Sequence, residues 1–309
     1  MIRIIIRQTL ALILMSLSVS VYAQIEPMYG MYRFNANAIN PAQAGSTKQL
    51  DASLLSRWQW TAINGAPKTH VASVSMPYQE NVGFAVNIVS DNIGPVSDLY
   101  VGLDYAYQIP LTNTTKLAAG IRLSVINHSV NLADRNIIDQ TDEAFKYNLN
   151  SGFRVNPGLG FVLINPKYYV GISLPRILRY SYGDAFNIST YKDVQHSFFY
   201  AGYEADINRD VTLRPSIMGN VAVNTPLNLD LNLTATIFDR FDIGVMHRIQ
   251  DAIGIITGYK FNNGLYLGYS YEYPISQMRR VTRMTNEVAI KFTFNDAREK
   301  RILTPRYFN

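Results

Sequence analysis

Four histidines, His70, His128, His196 and His247, are the residues of this 309-residue chain best suited to hold a metal or move a proton. Their spacing argues against both roles, because ligands supplied by one segment recur every few residues and these are far apart. His128-Ser129 and His196-Ser197 place a base beside a hydroxyl only in sequence. On a strand, adjacent side chains point to opposite faces, so neither pair makes a nucleophile with its base. The chain has no Cys, which removes thiol chemistry, thiolate metal sites and disulfides. Asp134, Asp139, Asp142 and Glu143 could gather around Ca²⁺, but they lack the spacing of a calcium loop and read as a solvated segment. Gly158-Leu159-Gly160 is no phosphate loop, since no helical pattern follows it. A non-enzymatic protein without cofactor or metal is the expectation.

The elements that carry these residues are strands. From Leu227 to Ile237 every odd position is apolar and the even ones are Asn, Asp, Asn, Thr and Thr. At 180° per residue all the leucines share one side, whereas at 100° they scatter. The stretch reaches roughly 36 Å at ~3.3 Å per residue. That suits a strand tilted ~40° across an apolar band ~25 Å tall. A slip of one residue would turn Asn228, Asp230 and Asn232 into the lipid, so the pattern fixes its own register.

Composition agrees. Hydrophobic residues make up 48% and charged ones 17%, with 21 Tyr and 14 Phe, which excludes a disordered chain. A mean hydropathy of -0.03 is too polar for a helical membrane protein but fits strands that average two unlike faces. Residues 1–23 read as a signal peptide: Arg3 and Arg7, an apolar run from Leu10 to Val21, and cleavage after Ala23. No later run is long enough for a helical span, so membrane residence requires a barrel. The net charge of +5 does not imply nucleic acid, because the cations are dispersed except in Arg279–Arg283 and the tail from Arg298. A basic cluster beside a strand end is a loop or a contact with anionic lipid headgroups.

Residues 24–48 resist both periodicities and read as an extended or turn-rich lead-in. Leu50 to Trp60 begins the barrel at 49–294, with Leu55 as an apolar exception on the polar face. Trp58 and Trp60 suit an aromatic girdle, and Asn64-Gly65-Ala66-Pro67 a turn. Thirteen more strands follow: His70–Met76, Val82–Ile88, Leu99–Ile109, Leu117–Val125, Phe153–Leu163, Lys167–Leu174, His196–Ile207, Val211–Val221, Leu227–Ile237, Phe241–His247, Ala252–Phe261, Leu265–Tyr273 and Asn286–Phe294. The patternless stretch Ser129–Ser151 reads as a long outward loop, and 295–309 as a basic tail. The fold class is therefore all-β, an antiparallel up-and-down transmembrane barrel of about fourteen strands. A sandwich has fewer strands, and a propeller needs a ~40-residue repeat that this chain lacks.

Many inward positions are small: Gly83, Ala85, Gly102, Ala106, Ala118, Gly120, Gly158, Gly160, Gly254, Gly258 and Gly268. No charged rings of the porin kind are evident. Small inner side chains leave room for a loop or the lead-in, so a plugged barrel rather than an open pore is expected. A passive porin or small-molecule transporter is the alternative.

Several segments resemble the PorP/SprF family of type IX secretion membrane proteins. They are Tyr32-x-Phe34-Asn35, Ile39-Asn40-Pro41-Ala42-x-Ala44-Gly45-Ser46, Arg57-x-Gln59-Trp60, Gly65-Ala66-Pro67-Lys68-Thr69, Ile93-Gly94-Pro95, Tyr105-Ala106-Tyr107-x-Ile109-Pro110-Leu111 and Leu267-Gly268-Tyr269-Ser270-Tyr271-x-Tyr273. The chain departs from that pattern at Met31, Ala36 and Asn286. The resemblance implies an outer-membrane component of the type IX secretion and gliding machinery. Its implied partners are secreted substrates with type IX C-terminal domains, large adhesins among them, periplasmic ring subunits and lipoproteins, and outer-membrane lipids. Asn35, Asn40, Pro41, Ala42 and Gly45 become candidates for a docking or plug conformation, with Trp58, Trp60, Gly65 and Pro67 as further candidates at the first turn.

Overall fold

The computed structural model describes residues 27–47, 49–131, 148–183, 189–223 and 225–294. The predicted signal peptide, the tail 295–309 and the acidic stretch 132–147 lie outside the described residues. Fourteen strands close into one antiparallel ring. They are β1 (Asp51–Trp58), β2 (Lys68–Gln79), β3 (Val82–Ile93), β4 (Val96–Pro110), β5 (Lys116–Val130), β6 (Leu149–Ile164) and β7 (Tyr168–Leu174). The second half comprises β8 (His196–Tyr203), β9 (Val211–Ala222), β10 (Asn228–Ile237), β11 (Phe241–Arg248), β12 (Ala252–Lys260), β13 (Leu265–Pro274) and β14 (Thr285–Thr293). Each strand pairs with its sequence neighbours, and β1 pairs with β14 to shut the ring. A bridge at Ala205–Asp206 continues the β8 edge along β9, and a small hairpin, Ser181–Gly183 with Ser189–Lys192, stands outside the ring.

Closure satisfies the backbone where no water can, which is what allows strands to sit in lipid. No described helix is long and apolar enough to cross a membrane. The alternation read from β10 holds: Asp230 and Asn232 are buried inside while Leu231 and Leu233 are exposed outside. Aromatic residues cluster on the wall at one end. Tyr78, Phe84 and Tyr105 make edge contacts at the end where β1 begins and β14 finishes, as do Phe241, Tyr259 and Phe261. Short turns also cluster there, which is the periplasmic end of outer-membrane barrels.

The lead-in takes the turn-rich form: Tyr32–Asn35, Ala36–Ile39 and Pro41–Gln43 make three consecutive helical turns. Two details differ from the sequence expectation. Trp60 lies beyond the end of β1 with φ 51°, so only Trp58 keeps the outward alternation, edge-on to His70. The inner face is rich in charge, and the sequence hid this because the charged residues lie scattered along many strands. Leu55, the apolar exception, is buried in one cluster with Met28, Met31, Tyr32 and Ile39 of the lead-in.

Candidate functional site

The lead-in occupies the lumen. Asn40, Ala42 and Ala44 are 0% exposed, and Met31, Tyr32, Asn35 and Gln43 are almost as deeply buried. The inner wall was shaped for this by residue size. A Cβ at Gly120 would meet the Ala42 nitrogen at 2.3 Å, and one at Gly83 the Ala44 carbonyl oxygen at 2.2 Å. At Gly160 it would lie 2.0 Å from Asn40 Oδ1. The glycines therefore form the bed on which the 40–45 turn rests. Gly45 itself has φ +66° and packs on Gly83, where no side chain fits on either partner.

Asn40 is the densest knot. Its Oδ1 accepts from the Ala42 N–H at 2.9 Å and caps the Pro41 turn. Its Nδ2 donates to the Tyr200 hydroxyl and the Phe161 carbonyl, both at 3.0 Å, and to the Ile172 carbonyl at 3.3 Å. One amide thus ties the segment to β6, β7 and β8. Gln43 Nε2 donates to the same Tyr200 oxygen at 2.7 Å. The Gly45 N–H donates to Ser75 Oγ at 2.9 Å, and its carbonyl accepts from Gln108 Nε2 at 3.1 Å. Asn35 Oδ1 accepts weakly from Ser53 Oγ at 3.4 Å. Burial pushes the Tyr32 hydroxyl well above its ordinary pKa, so it stays neutral.

Charge supplies the second set of ties. Asp104 on β4 and Arg122 on β5 stand directly opposite in register, with Arg122 Nε 2.6 Å from Asp104 Oδ1. The same guanidinium donates to the carbonyls of Asn37 and, at 2.8 Å, Ala38. Those carbonyls belong to a helical turn too short to satisfy them internally. Arg57 and Glu287 face each other across β1 and β14, and Asp230 and Arg248 across β10 and β11. Glu272 joins the two pairs, accepting from Arg57 Nη2 at 2.8 Å and from Arg248 Nη1 at 3.0 Å. Glu287 closes the chain onto the lead-in by accepting the backbone N–H of Gly30 at 3.1 Å and of Met31 at 2.7 Å. Arg33 reaches Asp242 at 3.1 Å, and the Phe34 ring stacks on Tyr266 at 4.3 Å.

The structure thus gathers Asn35, Asn40, Pro41, Ala42 and Gly45 in one seat. Trp58, Trp60, Gly65 and Pro67 stand apart at the long-loop end, where the Gly94 N–H donates to the Gly65 carbonyl at 2.8 Å and the Gln59 N–H to the Pro67 carbonyl at 3.0 Å. Sequence reasoning missed Arg57, Arg122, Tyr200, Glu272 and Glu287, although the glycine bed was visible in the inward positions. Among the described residues no group of three acids and histidines is placed to hold a metal. His128 pairs with Asp98 at 2.5 Å and His196 with Asn220 at 2.9 Å, both as cross-wall contacts.

Asn40→Ala strands the Ala42 N–H in a dry site and removes three donor contacts. The expected cost is about 2 kcal/mol. Limited proteolysis of folded protein in detergent checks it, with cleavage within 24–48 appearing faster than in the wild type.

A family model for type IX secretion system membrane protein PorP/SprF matches residues 21–292. No curated protein sequence matches the chain. Among solved structures, the CymD monoaromatic hydrocarbon channel aligns at TM-score 0.51 and 10% identity, covering 85% of this chain and 93% of that one. The TodX deltaS2S3 mutant monoaromatic hydrocarbon channel aligns at 0.51 and 8%, covering 88% and 100%. A Pseudomonas aeruginosa FadL homologue gives 0.47 and 11%, covering 88% and 96%. These likenesses concern the barrel fold alone.

Proposed function

Because the chain belongs to the PorP/SprF family of type IX secretion system membrane proteins, we propose that it is a non-enzymatic outer-membrane subunit that docks or attaches particular secreted surface proteins, large adhesins among them. The observation that carries this reading is the filled lumen. A barrel whose interior is occupied by its own chain, fixed through Asn40, Arg122 and Glu287, offers solutes no wide aqueous path. What remains for function is the pair of barrel ends and their loops, which suits binding rather than transport. The partners on this reading are substrates with type IX C-terminal domains outside and the ring subunits and lipoproteins on the periplasmic side. Export on a signal peptide cleaved after Ala23 completes the proposal.

The test is deletion of the gene, followed by comparison of surface-bound and released proteins and of solute uptake. Loss of a few large proteins from the surface, with uptake unchanged, is the expected result. An unchanged surface with slowed uptake of small solutes would overturn the docking role in favour of a pore.

A further inference from the structure

The segment between β13 and β14 does not stand up from the barrel mouth as a free loop; it folds against the outside of the wall. The Tyr271 hydroxyl, on the outward face of β13, donates to the Arg283 carbonyl at 3.1 Å. Beneath it, the Tyr269 hydroxyl donates to Asn286 Oδ1 at 2.7 Å. At its other end the Ile275 and Ser276 N–H groups both donate to the Asp251 carbonyl, at 2.7 and 3.1 Å. Ser276 Oγ accepts from the Met278 N–H, so a short turn, Gln277–Arg280, is fixed between the two anchors. Thr282, in the middle of the segment, is buried, and its N–H donates to the Met278 carbonyl at 3.0 Å. The backbone is therefore held in place before any ligand arrives.

What it presents is divided by chemistry. Arg279, Arg280 and Arg283 are exposed, and among the described residues none of the three guanidinium groups meets a carboxylate. Beside them Val281 is 58% and Met284 41% exposed, next to the outward row Tyr269, Tyr271 and Tyr273 and the exposed Ile253 and Ile255 of β12. Three exposed cations over an apolar, aromatic wall match a lipid surface at the level where acyl chains give way to headgroups. The segment lies at the long-loop end, which faces the outer leaflet.

We propose that residues 275–284 form a lipid site on the barrel wall, in which Arg279, Arg280 and Arg283 bind phosphate groups of an outer-leaflet lipid while Val281 and Met284 meet its acyl chains. A soluble polyanion would use the arginines but leave the apolar half without purpose. Arg is suited to the task because its planar fork pairs two phosphate oxygens at once.

The protein carries its own reporter. Its two tryptophans, Trp58 and Trp60, neighbour this segment: the Trp60 N–H donates to Thr285 Oγ1 at 3.2 Å and the Thr61 N–H to the Met284 carbonyl at 3.2 Å. Energy transfer from tryptophan to a dansyl-labelled lipid in phosphatidylcholine vesicles reads which lipids collect there. Dansyl-phosphatidic acid is expected to be enriched about tenfold over dansyl-phosphatidylcholine at low salt, since each surface cation contributes measurably to anionic-lipid affinity. In R279Q/R280Q/R283Q the enrichment is lost, while the heat-modifiable band of the folded barrel persists because all three side chains are exposed. Equal transfer from both lipids in the wild type, or enrichment that survives in the triple variant, would overturn the site. Inorganic phosphate added at the same concentration leaves the enrichment standing; if it abolishes it, the site is one for soluble anions and the membrane assignment falls.

Discussion

Gly120→Val is expected to turn an electrically silent barrel into a conducting one. The substituted Cβ would lie 2.3 Å from the Ala42 nitrogen and 2.4 Å from the Pro41 carbonyl carbon, and neither backbone atom can swing aside as a flexible side chain would. Valine at this position is otherwise well suited to a strand, so the wall itself has no reason to break. Overpacking against a movable side chain costs about 1–3 kcal/mol, and a collision with fixed backbone costs more than that. The cheaper response is for the Pro41–Gln43 turn to leave its bed, which also breaks the Asn40 contacts with Tyr200 and Phe161. Planar-bilayer recording checks this: the wild type shows no steady conductance and Gly120→Val shows open events. A steadily conducting wild type would instead return the protein to the class of passive porins.

The second large effect is on stability. Arg57 is the hub of the buried chain that runs from Glu287 through Glu272 and Arg248 to Asp230. In Arg57→Ala, Glu287 keeps only the backbone donors of Gly30 and Met31, and Glu272 keeps only Arg248. Removing one partner of a buried ion pair typically costs about 3–5 kcal/mol, because the other charge is left dry and uncompensated. A lower temperature for the band shift of the folded barrel in detergent is the readout. Arg57→Met with Glu287→Gln should recover a large part of the loss, since the second change removes the stranded charge. A single variant no less stable than the wild type would mean that water reaches this network.

How much of this was legible in the sequence divides along a physical line. The strands were legible because lipid and lumen impose opposite demands on alternate residues, so Leu231 and Leu233 against Asp230 and Asn232 can be read without knowing any partner. The seat was legible only as absence, in the small residues at Gly83, Gly120 and Gly160. What stacks on those glycines is a matter of distance across the ring, and the chain does not write that down locally. The Asp104–Arg122 and Asp230–Arg248 pairs each require the register of two strands before the charges can be seen to face each other. That the turns of residues 32–43 are helical was not legible, for a related reason. Short turns of this kind have no periodicity and are stabilised by the Asn40 cap within the segment and by Arg122 and Ser173 from the wall rather than by propensity.

The link from Glu287 to Gly30 spans 257 positions of the chain. Gly30 and Met31 therefore gain this anchor only when the last strand has been laid down, and a polypeptide truncated before β14 lacks it. Such a product would lack the Glu287 acceptor at the start of the lead-in, whereas the partners of residues 40–45 lie on earlier strands. A single carboxylate near the end of the chain thus couples the seating of the lead-in to closure of the ring.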